Sequence, residues 1–557
     1  MTRRRGALAA VLTAVALALA GCSGLPTAGP VNPGLPADAE AGNPDFAFQP
    51  DSPQPGATPE EIVDGFIRAG TGPGADGNWT VAKEYLAPGS DWDPRAGVTI
   101  DRPGDRVFSA PSESDVVLTL TPVGNVDDIG SYAPAEERST TVPFQLALQE
   151  DGEWRITEAP NGLILDTSQF STVFRRASLM YFDPTGQFLV PDLRWFPAIN
   201  AATYVTDALV EGPAAPWLAA SVVTAFPDSV SLRPSVPVDD GVAEVVLGSS
   251  AVELSADTLS RMQAQLTASL RTVGVSSVAM SAGATPLDVE PASTRSTRVN
   301  TLPLVLTAEG FGFLSGEQLE PIEGLSQALM TVDPVAIQVS PDRDFAGVKL
   351  TSGAVARVES DGDVLEFDPR GGLIDPTVDP FGYAWSVPRD APGSLAAFAP
   401  GSEQIAIAGA WPEATQVTAM SLSRDGTRLA AVVVTGGRTA VWVSGVVRDI
   451  EGVPSALGEP ARVLASLPAA GTALAWLDDT TVAVLTGSGD ESEAAELMVG
   501  GPTATTDAPA GSAQVAGAQG AMRVKDSGGA LYSKRGATWP QTASGIMVLA
   551  TQQGSPR

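Results

Sequence analysis

One residue of the chain has the type and position for a defined covalent chemistry. Cys22 is the only cysteine, and it directly follows Leu19-Ala20-Gly21. A cationic run, Arg3 to Arg5, precedes an uncharged apolar stretch over residues 7–20, which is the order of a secretory signal. That stretch holds about 14 residues, fewer than the roughly 20 that a spanning helix needs. Lipoprotein signal peptidase accepts small residues before the cysteine, so we predict cleavage before Cys22 and acylation of its sulfur. A plain secretory signal with an incidental cysteine is the alternative.

The missing residue types exclude much of enzyme chemistry. The 557 residues include no histidine, so neither a Ser-His-Asp triad nor a Cys-His pair can form. With no imidazole, and no free thiol after acylation, an ordinary zinc site lacks its usual ligands. Paired carboxylates could still act as in glycosidases, but 65 acidic residues make any chosen pair uninformative. We therefore predict no catalytic residues, no metal site and no cofactor.

The net charge limits the partners of the chain. It has 33 Lys+Arg and 65 Asp+Glu, a formal charge of −32. Removing residues 1–21 takes away three arginines and no acid, which brings the formal charge to −35. Such a surface repels nucleic acid and anionic lipid headgroups. We expect no nucleic-acid partner, and we expect the membrane to hold the protein through acyl chains rather than through electrostatics.

Two segments precede the first folded region. Residues 1–21 are predicted to be a lipoprotein signal peptide, and residues 22–57 a proline-rich tether with Gly and Ala between its prolines. Such a composition cannot bury a core and favours extended polyproline-like conformers. We expect the tether to hold the first domain away from the membrane; a leader without a function is the alternative.

The first folded region is predicted over residues 58–165. Thr58-Pro59-Glu60-Glu61 is a capping box with proline at the first helical position. A second helix is expected over residues 79–86, with Asn78 as its cap. Strand-like runs follow, and Glu150-Asp151-Gly152 joins the last two as a hairpin turn. Two helices followed by antiparallel strands predict a small α+β domain.

A second domain is predicted over residues 171–290. Its pattern is strand, helix, strand, helix, strand, with the first helix over residues 200–210 stopped by Gly212-Pro213. Residues 242–247 alternate between apolar and other side chains as a half-buried strand does. Apolar residues from Leu259 to Val273 recur at helical spacing. This pattern predicts a second α+β domain.

The third region, residues 298–557, is predicted to be all-β. Predicted helices almost vanish, and short strands alternate with Gly, Asp and Pro turns. A weak repeat aligned on Ser340, Asp379, Ser423 and Leu477 has spacings of 39, 44 and 54 residues. Propeller blades repeat at about 40–50 residues. The spacing therefore predicts a β-propeller of about five or six blades.

Three local features of the last two regions carry separate expectations. In each repeat an S-x-D-G-type turn should join the two inner strands, with its acid capping the turn rather than binding metal or reacting. Residues 500–517, rich in Ala, Thr and Gly, are expected to form a loose loop or an insertion between blades. Arg194-Trp195-Phe196 could form a binding ledge, but we favour a core strand whose charge lies in solvent.

The order of these segments resembles one known family. A lipobox, a proline-rich leader, an α+β domain, a GerMN-like domain and a propeller occur together in the actinobacterial lipoprotein LpqB family. The GerMN-like motifs are Tyr181-Phe182, Leu189-Val190-Pro191 with Arg194, the helix end Ala208-Leu209-Val210-Glu211-Gly212-Pro213, the strand Asp240-Gly241-Val242-Ala243-Glu244-Val245 and the helix segment Gln263-Ala264-Gln265-Leu266.

The resemblance implies a function outside the cytoplasmic membrane. Members of the family are partners of a sensor histidine kinase of the MtrB type, and GerMN domains bind ligands or proteins without established catalytic residues. We expect a lipid-anchored, non-enzymatic accessory that binds the kinase ectodomain and tunes cell-envelope and division signalling. The alternatives are a binding module for envelope glycan or a small ligand, and a carboxylate-based cell-wall hydrolase.

Overall fold

The computed structural model describes residues 50–488 and 491–556. The predicted lipidation residue Cys22 and its cleavage motif Leu19-Ala20-Gly21 lie outside the described residues, as does most of the predicted tether. Within the described part of the chain, no helix is both long enough and apolar enough to cross a membrane.

The first domain combines three helices with two four-stranded sheets. Its elements are α1 (Pro59–Ala69), α2 (Thr80–Lys83), β1 (Val98–Asp101), β2 (Val107–Ser109), β3 (Asp115–Leu120), β4 (Pro122–Val126), β5 (Tyr132–Pro134), β6 (Thr140–Leu148), β7 (Trp154–Glu158), β8 (Leu163–Asp166) and α3 (Thr167–Val173). One sheet has the order β5-β4-β1-β8 and the other β2-β3-β6-β7. Helix α1 lies over them and contributes Ile62, Val63 and Phe66 to a shared apolar core.

The start of α1 follows the predicted capping box, whereas α2 differs from its prediction. The Thr58 hydroxyl accepts from the Glu61 N–H, and the Glu61 carboxylate accepts from the Thr58 N–H at 2.8 Å. Helix α2 begins at Thr80 rather than at Trp79, and Asn78 does not cap it. Trp79 is left-handed (φ 50°) because its side chain is buried, where its indole N–H donates to the Gly70 carbonyl at 2.9 Å.

The second domain has a long hairpin and a small mixed sheet. Its elements are β9 (Phe174–Phe182), β10 (Leu189–Pro197), α4 (Ala201–Val210), α5 (Pro216–Ala219), β11 (Val238–Asp239), β12 (Val242–Leu247), a 3₁₀ turn (Ser249–Glu253), α6 (Ala256–Arg271), β13 (Ser277–Ala282) and β14 (Thr285–Pro286). Strands β9 and β10 pair antiparallel, and β12 and β13 pair parallel. The apolar face of α6 predicted from its spacing is buried, with Met262, Leu266 and Leu270 at 0% exposure.

The rest of the chain is almost entirely strand. Its elements are β15 (Leu304–Thr307), β16 (Phe311–Ser315), β17 (Gln318–Glu320), α7 (Leu325–Leu329), β18 (Pro334–Val339), β19 (Phe345–Leu350), β20 (Val355–Glu359), β21 (Val364–Asp368), β22 (Thr377–Val378), β23 (Ala384–Ser386), a 3₁₀ turn (Pro392–Ser394), β24 (Ala396–Phe398), β25 (Gln404–Ala406), β26 (Gln416–Leu422), β27 (Arg428–Thr435), β28 (Arg438–Arg448), β29 (Pro454–Leu457), β30 (Arg462–Leu467), β31 (Gly471–Trp476), β32 (Thr481–Ser488), β33 (Glu491–Met498), β34 (Thr503–Asp507), β35 (Ser512–Ala518), β36 (Ala521–Asp526), β37 (Leu531–Ser533), β38 (Gln541–Ala543) and β39 (Ile546–Gln552).

These strands form a propeller with six blades in the described residues. Blade 1 is β39-β15-β16-β17, blade 2 is β18 to β21, blade 3 is β22 to β25, blade 5 is β31 to β34 and blade 6 is β35 to β38. Blade 4 is β26-β27-β28, with β29 and β30 both pairing with β28. The inner strands β39, β18, β22, β26, β31 and β35 adjoin one another around a central channel. Two α+β domains followed by a propeller confirm the predicted fold class.

The segment predicted to be a loose loop or insertion, residues 500–517, is mostly strand instead. Strand β34 pairs with β33 and completes blade 5, and β35 begins blade 6. Its small side chains do not alternate between apolar and polar, so the sequence shows no strand pattern. Strands can nevertheless form here, because backbone hydrogen bonds with neighbouring strands do not require such alternation. Thr503, Thr505 and Thr506 are β-branched and suit a strand exposed at a sheet edge.

The S-x-D-G-type turns join the two inner strands of their blades, as predicted. In blade 3 the Asp379 carboxylate accepts from the N–H groups of Phe381 and Tyr383 at 3.0 and 2.9 Å. Its second oxygen accepts from Arg448 of blade 4 at 2.7 Å. The side chains of Asp379 and Arg448 are both 0% exposed. Arg448 also donates to the carbonyls of Gly426 and Gly452, so the buried pair is fully hydrogen-bonded.

Replacing Arg448 with Met should destabilise the propeller by about 3–5 kcal/mol, because the Asp379 carboxylate would stay buried without its counter-ion. The measurement is the midpoint of chemical unfolding followed by tryptophan fluorescence. Arg438→Met is the matched control, since Arg438 begins the same strand β28 and is exposed. Equal midpoints for the two variants would contradict the role assigned to the pair.

Candidate functional site

A large cleft opens where the two α+β domains meet the outer strands of blades 4 and 5. Its volume is about 1360 Å³. Strands β4, β5 and β30 and the ends of α3, α5 and β10 contribute to its walls. The aromatic and proline residues of the lining are Tyr132, Phe170, Trp195, Trp217, Pro103, Pro134, Pro216, Pro460 and Pro502.

Arg462 of β30 connects all three domains at the cleft. Its guanidinium donates to the Ser131 hydroxyl at 3.2 Å and to the Tyr132 carbonyl, both in the first domain. It also lies 5.9 Å from the ring centre of Trp217, in the second domain. Burial lowers the pKa of Arg462, while the nearby carboxylates of Asp192 and Asp127 favour its charged form. Arg462 thus holds the cleft walls together and covers the ring of the buried Trp217.

The ion pair of Arg194 and Asp192 fixes the second domain against the first. The Arg194 guanidinium donates to Asp192 at 2.8 Å and to the Pro213 carbonyl at 2.8 Å, and it reaches the Ile129 carbonyl of the first domain at 3.4 Å. Asp192 also accepts from the Ala215 N–H at 2.8 Å. Arg194 is only 2% exposed, so the expectation that its charge lies in solvent is wrong.

Trp195 brings part of the proposed ledge into the cleft. Its indole N–H donates to the Gly500 carbonyl of the propeller at 2.8 Å, and its backbone N–H donates to the Gly130 carbonyl of the first domain at 2.8 Å. Its ring lies 4.8 Å from that of Phe170. Of the three residues of that run, Trp195 alone lines the cleft. The sequence signal found this aromatic residue, but it gave no indication of Arg462 or Trp217.

Two sheet edges face the cleft. Strand β5 is the outer strand of its sheet, and β30 pairs only with β28, so each has an edge that pairs with no other strand in residues 50–488 and 491–556. Val463 of β30 is 44% exposed at this place. Unpaired edges with apolar side chains are templates for an extended segment of another chain.

The acids with altered pKa values lie outside this cleft. Burial, with a contribution from Glu211, raises the pKa of Asp207 to about 6. Burial also raises the pKa of Asp479, whose carboxylate accepts from the Thr297 hydroxyl at 2.8 Å. Asp479 is therefore a structural acceptor. Asp127, which does line the cleft, caps a turn by accepting from the Ser131 N–H at 2.7 Å.

Groups of acidic residues suited to a metal ion are also missing from the described part of the chain. The turn acids of the blades have local partners instead. Asp425 accepts from the Ser423 hydroxyl at 2.6 Å and from the Thr427 N–H at 2.8 Å, and it pairs with Arg428. These contacts account for the repeated acid as a turn cap.

Three family models match the chain in succession. One described as Lipoprotein LpqB, N-terminal domain, matches residues 52–171. One described as Sporulation and spore germination matches residues 178–288, and the Lipoprotein LpqB beta-propeller domain matches residues 309–548. These matches correspond to the predicted order of an N-terminal domain, a GerMN-like domain and a propeller.

Curated relatives carry the same name. Lipoprotein LpqB of Rhodococcus opacus is 32% identical over 276 residues, which cover 47% of this chain and 44% of that protein. The match thus spans less than half of the length of this relative. Lipoprotein LpqB of Streptomyces avermitilis is 26% identical over 575 residues, covering 91% of each chain. A solved beta-propeller domain, Cps50 (Swd1) of Myceliophteria thermophila, is 9% identical with a TM-score of 0.26, covering 37% of this chain and 70% of that chain.

Replacing Arg462 with Met should loosen the first domain at the cleft. A charged hydrogen bond contributes about 1.5–3 kcal/mol, so amide hydrogen exchange in β4 and β5 should become roughly ten- to a hundredfold faster. Exchange followed by mass spectrometry measures this, with Arg438→Met as the control in the same blade. Unchanged exchange in β5 would show that Arg462 does not hold this domain.

Proposed function

The chain belongs to the lipoprotein LpqB family, and we propose that it acts as a lipid-anchored, non-enzymatic accessory of a sensor histidine kinase. In this proposal Cys22 carries the acyl chains at the extracytoplasmic face of the cell membrane. The folded domains bind the ectodomain of an MtrB-like kinase and tune its signalling in the envelope and in division.

The anchoring half of the proposal is supported by sequence and family together. Cys22 stands at the one place that a lipobox requires, directly after Leu19-Ala20-Gly21. The curated relatives are named lipoproteins. With a formal charge of −35 after cleavage, the protein would be repelled by anionic headgroups, so acyl chains are the attachment that the chemistry favours.

The cleft at the domain junction is the observation that carries the contact half. Its proline side chains are exposed and Trp195 is half-buried, while Tyr132, Phe170 and Trp217 form a buried apolar wall behind them. The free edges of β5 and β30 offer backbone donors and acceptors beside that surface. An extended segment of the kinase ectodomain could add a strand to β30 while its side chains pack on the half-buried Trp195 and the exposed Val463.

The hydrolase alternative has weaker support in the geometry. A glycosidase needs two carboxylates on opposite sides of the scissile bond, one with a raised pKa. Asp207 has a raised pKa of about 6 and Glu211 lies one helical turn further on, but neither residue lines the large cleft. The non-enzymatic proposal therefore stands on the chemistry of the cleft lining, which is mostly apolar.

Replacing Cys22 with Ser should abolish lipid attachment, because a hydroxyl does not replace the thiol as acyl acceptor. Incorporation of a clickable fatty acid and fractionation of membranes would measure the loss. Ser23→Ala is the adjacent control and should be acylated like the wild type. A Cys22→Ser protein that still incorporates fatty acid would refute the predicted anchor.

Replacing Val463 with Glu should weaken kinase binding at least tenfold, because a charge would be buried against the apolar cleft on contact. The assay is affinity capture of the tagged lipoprotein from cross-linked membranes, with the kinase quantified by mass spectrometry. Val364→Glu is the matched control, since Val364 is 42% exposed on an outer strand of blade 2.

Each result of this capture has a defined meaning. Recovery of the kinase with wild type and Val364→Glu, but not with Val463→Glu, supports both the partner and the cleft. Recovery of cell-wall synthases alone with the wild type would overturn the kinase proposal. Equal recovery with all three proteins would place the contact on another surface.

A further inference from the structure

The propeller channel contains a second cavity, which we call the cup. Its volume is about 160 Å³. Residues from the inner strands β18, β22, β26, β31, β35 and β39 line it, so all six blades contribute. The cup lies toward the end at which these strands begin, whereas the S-x-D-G-type turns follow their other ends.

Hydrogen bonds between blades form the floor of the cup. The buried Gln338 side-chain oxygen accepts from the Thr377 hydroxyl at 2.7 Å and from the Val378 N–H at 2.6 Å. The Thr377 hydroxyl accepts in turn from the Leu422 N–H at 3.2 Å. Gln553 donates to the Ser423 carbonyl at 2.6 Å. The cup is therefore a polar recess with a fixed floor, and small-ligand sites are usually preformed in this way.

The charged residues of the cup have a net positive charge, whereas the whole chain is negative. Lys349 and Arg389 line it with a single acid, Asp375. Lys349 lies 3.3 Å from Asp375, whose side chain is 63% exposed, while Arg389 makes no ion pair within the described residues. Two cations and one acid thus meet here, in a chain with 65 acidic and 33 basic residues. An anionic group entering the cup would gain a guanidinium partner.

The neutral part of the lining fits hydroxyl groups. The Thr418 hydroxyl donates to the Gly471 carbonyl at 2.9 Å, and the Thr472 hydroxyl donates to the Leu485 carbonyl at 3.3 Å. Because their protons are used, the oxygens of both side chains present lone pairs as acceptors. Ser421 and Thr551 add further hydroxyls to the lining. A ligand with several hydroxyl donors matches these acceptors.

We propose that the cup binds a small hydroxylated carboxylate, a sugar acid of one ring. Arg389 and Lys349 bind the carboxylate, and the threonine oxygens of the inner strands accept from the ring hydroxyls. A cavity of about 160 Å³ holds on the order of ten waters, which is room for one such ring and not for a chain of them. This site is separate from the cleft and does not depend on the kinase contact.

The test is calorimetric titration of the purified full chain with glucuronate and with glucose. We expect glucuronate to bind at least tenfold more tightly than glucose, and more weakly as salt is raised. Arg389→Gln and Lys349→Met should each weaken glucuronate binding at least fivefold. Arg535→Gln is the control, since it removes an equal charge from an exposed position between β37 and β38 of blade 6 and should bind as the wild type does.

Failure of this proposal is distinct from failure of the proposed function. Glucuronate that does not bind, binds no better than glucose, or binds Arg389→Gln and the wild type equally would overturn the cup as a sugar-acid site. Val463→Glu changes the cleft alone, so it should bind glucuronate with wild-type affinity. A loss of glucuronate affinity in that variant would also contradict the separation of the two sites.

Discussion

The pairing of β39 with β15 is the contact on which the propeller depends. Strands β15 to β17 come first in the propeller sequence and provide only three strands of blade 1. Its inner strand is β39, the last strand of the described residues. Strand β39 also pairs with β18 in parallel and adjoins β35, so this one strand links blade 1 to blades 2 and 6. A ring closed in this way leaves no exposed inner edge. The channel, its cup and the positions of the blade turns all follow from that closure.

Loops of the propeller blades contact the second domain and fix its position. Phe381, in the turn of blade 3, meets Phe188 edge to face at 6.1 Å between ring centres. On the other side, Trp195 donates to the carbonyl of Gly500, in the turn between β33 and β34 of blade 5. The second domain is thus held at these two points and along α5, which packs on β28 of blade 4. The first domain joins the propeller through Arg462. The cleft is the space that remains between these contacts.

Burial of arginines explains how so acidic a chain is held together inside. Arg448 and Arg194 are paired with buried aspartates, while Arg424 donates to the carbonyls of Trp476 and Gly517 at 3.0 and 2.9 Å. A planar guanidinium satisfies several backbone acceptors at once, which an ammonium group cannot do in the same geometry. Because these cations are internal, they do not offset the negative charge of the exposed surface.

Local patterns were predictable from the sequence, whereas the sites were not. The capping box at Thr58 and the buried face of α6 depend on neighbours three or four residues away, so their spacing reveals them. Trp79 is left-handed because of where its ring is buried, which its neighbours in sequence do not encode. Arg462 and Ser131 are 331 residues apart, so no spacing rule relates them. Both the cleft and the cup are formed by contacts between residues that are far apart in the sequence.

Blades 4 and 5 line both cavities, which limits how the two could influence each other. Strand β26 of blade 4 contributes Thr418 to the cup, and β30 of the same blade contributes Val463 to the cleft. The strands between them are joined by continuous backbone hydrogen bonds. Such a sheet moves as a unit, so occupancy of the cup would reach the cleft only through a shift of the whole blade. The Thr377 hydroxyl opposes that shift. It donates to Gln338 of blade 2 and accepts from the Leu422 N–H of blade 4, so it ties blades 2, 3 and 4 together beside the cup.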